Sequence, residues 1–111
     1  MREGAVVLLA LRQADGKVKP RPAVALRQLP GFGDWFVCGV SRQLHQFVEG
    51  FDERVLATDP DFGASSLMGP SVIRLSFVQA VPLSAIMGRI GAISTERHRR
   101  LLGNLSRHLA P

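Results

Sequence analysis

A chain of 111 residues is long enough for one domain with a modest core and too short for two without stapling. With 46% hydrophobic and 21% charged residues it has a globular composition, which excludes disorder over most of its length. The formal charge is +5, and every cation except Lys17 and Lys19 is arginine. Nucleic acid, an anionic membrane surface, an acidic protein or plain solvent all suit such a surface.

Gly4–Leu11 is a continuous apolar run bounded by Gly4 and the Asp15-Gly16 turn, and its length suits a buried strand. Residues 13–19 are polar and are expected to form an exposed loop. Ala23–Gln28 reads as a second strand, with Pro20 and Pro22 at its start because proline cannot donate to a central ladder. Leu29–Asp34 is a turn by its Pro-Gly and Gly-Asp pairs. Trp35–Ser41 is a third strand. Arg42–Pro70 is irregular, with one short strand near Arg54–Ala57, and a loop-rich stretch of that length is often functional.

Ser71–Val81 reads as one strand or two broken ones. Ala85–Gly88 suggests a last short strand, followed by a turn at Gly91. Ser94 is a good N-cap, Glu96 suits the first turn, and a helix is expected from about Thr95 to about Leu109. Its apolar stripe is His98, Leu101, Leu102, Leu105 and Leu109. Arg97, Arg99, Arg100 and Arg107 fall elsewhere and are expected to face water. Short strands, tight turns and one closing helix point to a mostly β protein, a small antiparallel barrel spanning 1–111.

Cys38 is the sole cysteine, so no intrachain disulfide can form, which fits a reducing compartment. Its strand context suggests a buried hydrophobe. The run after Arg2 is too short for a signal peptide, is preceded by Glu3 and lacks a small-residue cleavage site. No stretch approaches a membrane span. A cytoplasmic protein with no membrane partner is expected. His45, His98, His108 and Cys38 make no metal-ligand pair, and neither a phosphate-binding loop nor a Gly-x-Ser-x-Gly motif is present. No cofactor or metal is expected, so any catalysis falls to a few polar side chains.

Three segments, in order, resemble PemK/MazF toxins. Lys19-Pro20-Arg21-Pro22-Ala23-Val24-Ala25-Leu26 looks like the family's Arg-Pro-led second strand. Phe36-Val37-Cys38-Gly39-Val40-Ser41 looks like its third strand, ending in Ser or Thr. Pro70-Ser71-Val72-Ile73-Arg74-Leu75, with the tail Met87–Ser94 and its helix, is similar to the closing segment. The resemblance implies an SH3-like barrel, usually a homodimer, that cleaves single-stranded RNA without a metal and is neutralised by a cognate antitoxin. A barrel of the same fold that binds RNA or a protein partner without cutting is the alternative.

On that resemblance Arg21 and Ser41 are the candidate catalytic residues, and Lys19, Arg42 and Arg74 the candidate substrate-binding ones. Pro22 forces Arg21 toward extended geometry, and prolines on both sides stiffen its backbone. A rigidly held guanidinium can grip a phosphate and stabilise charge growing on its oxygens. The plainer reading of Arg21 is a surface arginine at a strand start, and of Ser41 a strand-end hydroxyl bonded to backbone. Arg74 suits an RNA phosphate or an ion pair equally. Some family members carry an acidic residue two positions after this arginine, where this chain has Ser76. His45, near Ser41 in sequence, could donate a proton but is expected to be a solvent-exposed loop histidine, and His98 is expected to be a packed one. Trp35 and Phe36 could stack bases, though at least one is expected to be buried.

Overall fold

The computed structural model describes residues 1–12 and 14–110. The described residues form six strands: β1 (Ala5–Arg12), β2 (Val18–Gln28), β3 (Trp35–Ser41), β4 (Glu53–Val55), β5 (Ser71–Val81) and β6 (Ile86–Ala92). A short helix α1 (Phe62–Ser65) lies between β4 and β5, and α2 (Thr95–Leu109) ends the chain. All strand pairings are antiparallel, in the order β4-β5-β3-β2-β1-β6.

The apolar opening run is continuous because both faces of β1 are buried. Ala5, Val7 and Leu9 join Ala23, Ala25, Trp35 and Val37 in one cluster. Val6 joins Val24, Leu26, Cys38, Ile73 and Leu75 in a second, which α2 covers with Leu101, Leu102 and Leu105. Desolvation pushes the Cys38 thiol up to about 12, so it stays protonated and serves as core. Trp35 is buried and Phe36 half-buried.

The sheet does not close into the expected ring. Among the described residues β4 and β6 share no ladder, and they are the two ends of the sheet. Phe62 of α1 and Leu67, together with Ile90 of β6, pack into the α2-side core with Val55 of β4.

The second strand begins five residues earlier than its sequence suggests. Val18, Lys19 and Pro20 pair with β1, leaving the Asp15-Gly16 turn as the hairpin tip, while residue 13 of the expected loop lies outside the described residues. Proline is tolerated there because the recorded β2–β3 ladder starts only at Ala23.

Gly91 is not a turn. It lies inside β6, and a Cβ there would collide with the Ala64 carbonyl oxygen and fall 2.5 Å from that of Ser65. Glycine is needed for close approach of α1, and backbone atoms cannot swing aside as a side chain would. Gly91→Ala is therefore expected to cost about 1–3 kcal/mol. Gly88→Ala, whose new methyl meets no described atom within 4 Å beyond its own chain neighbours, is expected to stay within about 0.5 kcal/mol. Urea unfolding of the pair measures the difference, and equal midpoints would refute the close-approach account.

The α2 boundaries agree with the sequence reading. Ser94 caps the helix, its hydroxyl accepting from the Arg97 amide at 3.1 Å. His98 is half-buried, with its Nε2 2.8 Å from the Leu26 carbonyl oxygen. Arg97 corrects the expectation that the helix arginines face water: it is only 5% exposed. It donates twice to Asp61, and once each to Asp59, Glu53 and the Arg54 carbonyl. These bonds tie α2 to the segment running from β4 to α1, which explains how a stretch with so little regular structure is held.

Candidate anion-binding groove

The residues that shape the site come from β2, β3, the turn after β3, and β5. A groove of about 500 Å³ is lined by Arg21, Pro22, Gly39, Val40, Ser41, Arg42, Gln43, Gln46, Arg74 and Phe77. Arg21, Ser41, Arg42 and Arg74, separated by up to 53 positions in the chain, thus come together. The β2–β3 register pairs Ala23 with Gly39. Continued by two residues, it brings Arg21 opposite Ser41. Lys19 is exposed on β2 but does not line the groove, and neither does His45, which is exposed in the 3₁₀ turn Leu44–Gln46.

Ser41 is bonded to backbone at its strand end and also lines the groove. Its Oγ accepts the Gln43 amide at 3.1 Å, as in a serine turn, and it faces the groove. The hydroxyl hydrogen is left to donate to a ligand. Arg42 lies against Gly69, where a Cβ would fall 2.5 Å from its terminal nitrogen, so the bare glycine gives the guanidinium its place.

Arg74 sits at a break in the β3–β5 ladder. Cys38 pairs with Val78 but Gly39 with Arg74, so Leu75, Ser76 and Phe77 are unmatched. The buried Asp52 holds this bulge, with Oδ1 accepting the Leu75 amide at 3.0 Å and Oδ2 the Val48 amide at 3.0 Å. One strand and two broken ones are thus both fair descriptions of this segment. The bulge also settles where Ser76 points. It lines a separate depression with Glu49, Phe51, Asn104 and His108, not the arginine groove.

The electrostatics of the groove are one-signed. Among the described residues its lining contains three guanidinium groups and no carboxylate. Among the described residues none of the three arginines makes an ion pair. The Arg74 Nε is buried with no hydrogen-bond partner, and its Cζ stands 5.4 Å from the centre of the Phe77 ring. Unpaired arginines converging on one concavity attract an anion and offer it forked donors. The described lining has no imidazole, thiol or carboxylate, which are the usual ligands of a transition metal. Among the described residues no group of three or more His, Cys, Asp or Glu side chains is placed to hold a metal ion.

Phe77, Gln43 and Gln46 were not singled out by the sequence. Phe77 follows Arg74 by three positions, which in a regular strand places it on the opposite face. Only the bulge brings the two to one groove, and no residue in Leu75–Phe77 announces it.

The described residues are thus mostly β, six antiparallel strands with a C-terminal helix and a cationic groove between β2, β3 and β5. The fold is that of a MazF toxin: the solved structure of Mycobacterium tuberculosis toxin MazF-mt6 matches with a TM-score of 0.69 at 17% sequence identity, covering 95% of each chain. No protein-family model and no curated protein matches the sequence. No helix among the described residues is long and apolar enough to cross a membrane.

Proposed function

We propose that the protein is an endoribonuclease toxin of a toxin–antitoxin pair, cutting single-stranded RNA in the groove between β2, β3 and β5. The observation that carries this reading is the convergence of Arg21, Arg42 and Arg74, unpaired, around Ser41. A MazF-type fold adds support. The reaction uses the RNA's own 2′-hydroxyl. Its oxygen attacks the adjacent phosphorus as the bond to the 5′-oxygen breaks. The 2′-hydroxyl proton is lost to solvent, and the departing oxygen gains one. The products are a 2′,3′-cyclic phosphate and a free 5′-hydroxyl, with no water consumed. The protein's part is to orient the phosphate and to stabilise charge on its oxygens. Arg21 grips the phosphate, Ser41 donates to a phosphate oxygen, and Arg42 and Arg74 hold the chain to either side. Lys19, outside the groove, extends the cationic track.

The active form is a homodimer in the cytoplasm, held inactive by its cognate antitoxin. The same scaffold also supports a second reading, a module that binds RNA or a protein without cutting. What favours it is that no described side chain lining the groove can act as a base near neutral pH.

Incubating the purified protein with single-stranded RNA in EDTA separates the two. The expected result is cleavage, with 2′,3′-cyclic phosphate ends. Binding without cleavage would establish the module instead, and no binding at all would end both RNA readings.

A further inference from the structure

Phe77 is an anomaly that the phosphate-gripping arginines do not account for. It is a large apolar side chain, 59% exposed, on the wall of a groove that is otherwise strongly cationic. Its position is built. The bulge that turns it into the groove is fixed by the buried Asp52 carboxylate. Its ring lies across β3 at Gly39, where a Cβ would stand 3.5–3.8 Å from Phe77 carbons, so the ring rests on a strand surface with no side chain in the way. The Arg74 guanidinium carbon stands over the ring, 5.4 Å from its centre, and its Nε has no hydrogen-bond partner among the described residues. Phe32, the other strongly exposed aromatic, sits on the β2–β3 turn and lines no part of the groove.

A supported, solvent-facing ring next to a guanidinium is what a single-stranded nucleic acid needs beside a phosphate clamp. The phosphate satisfies the charge, and the base buries its face on the ring. We propose that Phe77 is the platform on which one nucleobase of the RNA stacks, adjacent to the stretch of RNA chain held by Arg74. This rests on the groove being an RNA site, and it adds which part of the nucleotide the β5 bulge receives. Stacking reads the face of a base and not its edge, so the contribution is tolerant of sequence and larger for purines, whose faces are wider.

The test uses single-stranded RNA with 2′-O-methyl groups, which cannot be cut through the 2′-oxygen, and a set of the same oligonucleotides each carrying one abasic position. Phe77→Ala is expected to bind the intact RNA roughly ten-fold more weakly, and Phe77→Trp within a few-fold of the parent. One abasic position is expected to weaken the parent by the same factor and to have no effect on Phe77→Ala. Equal binding by parent and Phe77→Ala, or losses that simply add at every abasic position, would overturn the inference. So would Phe77→Ala binding RNA normally while changing its sedimentation behaviour, which assigns the ring to a protein contact. Should Arg21→Ala weaken RNA binding where Phe77→Ala does not, the platform alone fails. A parent that binds no RNA removes the groove's reading as well.

Discussion

Arg21→Ala is expected to lose RNA cleavage by about 10²–10³-fold, the usual consequence of deleting one preorganised charge-stabilising donor, while melting at the parent's temperature. The second half follows from exposure. Arg21 makes no ion pair among the described residues, and its side chain carries no core packing. Arg21→Lys discriminates further. It keeps the charge but replaces a planar fork with a compact ammonium, so it should retain RNA affinity better than it retains rate. Binding by the parent should weaken steeply with salt, because each gripped phosphate releases counterions, and the slope should be shallower in Arg21→Ala. Single-turnover cleavage rates, with affinities at two salt concentrations, measure all of this. An alanine variant that cuts at the parent's rate would remove Arg21 from the chemistry.

The strands of this protein were legible where one local rule decided them. Trp35–Ser41 and the helix from Thr95 to Leu109 stand as the sequence suggests, because a run of β-formers and a serine cap with a helical stripe are local signals. The segment at Gly91 misled, because glycine serves both turns and close approaches, and only the position of α1 distinguishes them. Arg21, Ser41, Arg42 and Arg74 could be proposed for one site only through a family resemblance, since nothing in their spacing says that β2, β3 and β5 are neighbours. Phe77 was hidden by a three-residue irregularity that reverses side-chain parity, and the acceptor that fixes it, Asp52, is 23 residues away. Arg97 was misplaced for a related reason. Periodicity alone sets it outside the apolar stripe, whereas its partners Glu53, Asp59 and Asp61 lie in a region without periodicity.

That arginine provides the largest expected change in stability. Arg97→Met keeps the aliphatic volume and removes the charge, leaving Asp61 buried without its partner, and is expected to cost about 3–5 kcal/mol. For a domain of this size that is a large part of the total stability and lowers the melting temperature by roughly 10–20 °C. Arg100 tests whether burial is the cause. It donates to the same Glu53 oxygen at 2.9 Å, but its side chain is 53% exposed, so Arg100→Met should cost less than about 1 kcal/mol. A second readout isolates the carboxylate. The Arg97 guanidinium holds Asp61 down to about 2 from its ordinary 3.8. Between these values the unfolded chain binds a proton that the folded chain does not, so stability rises with pH there. The contribution, about 2 kcal/mol, is complete above about pH 4 and gone below about pH 2. In Arg97→Met the Asp61 carboxyl loses the partner that depresses it, and stability should fall less steeply across that window. Denaturant unfolding of the three proteins between pH 2 and pH 5 decides the matter. If Arg97→Met and Arg100→Met unfold alike and keep the parent's acid slope, the buried network does not hold the helix to the sheet edge.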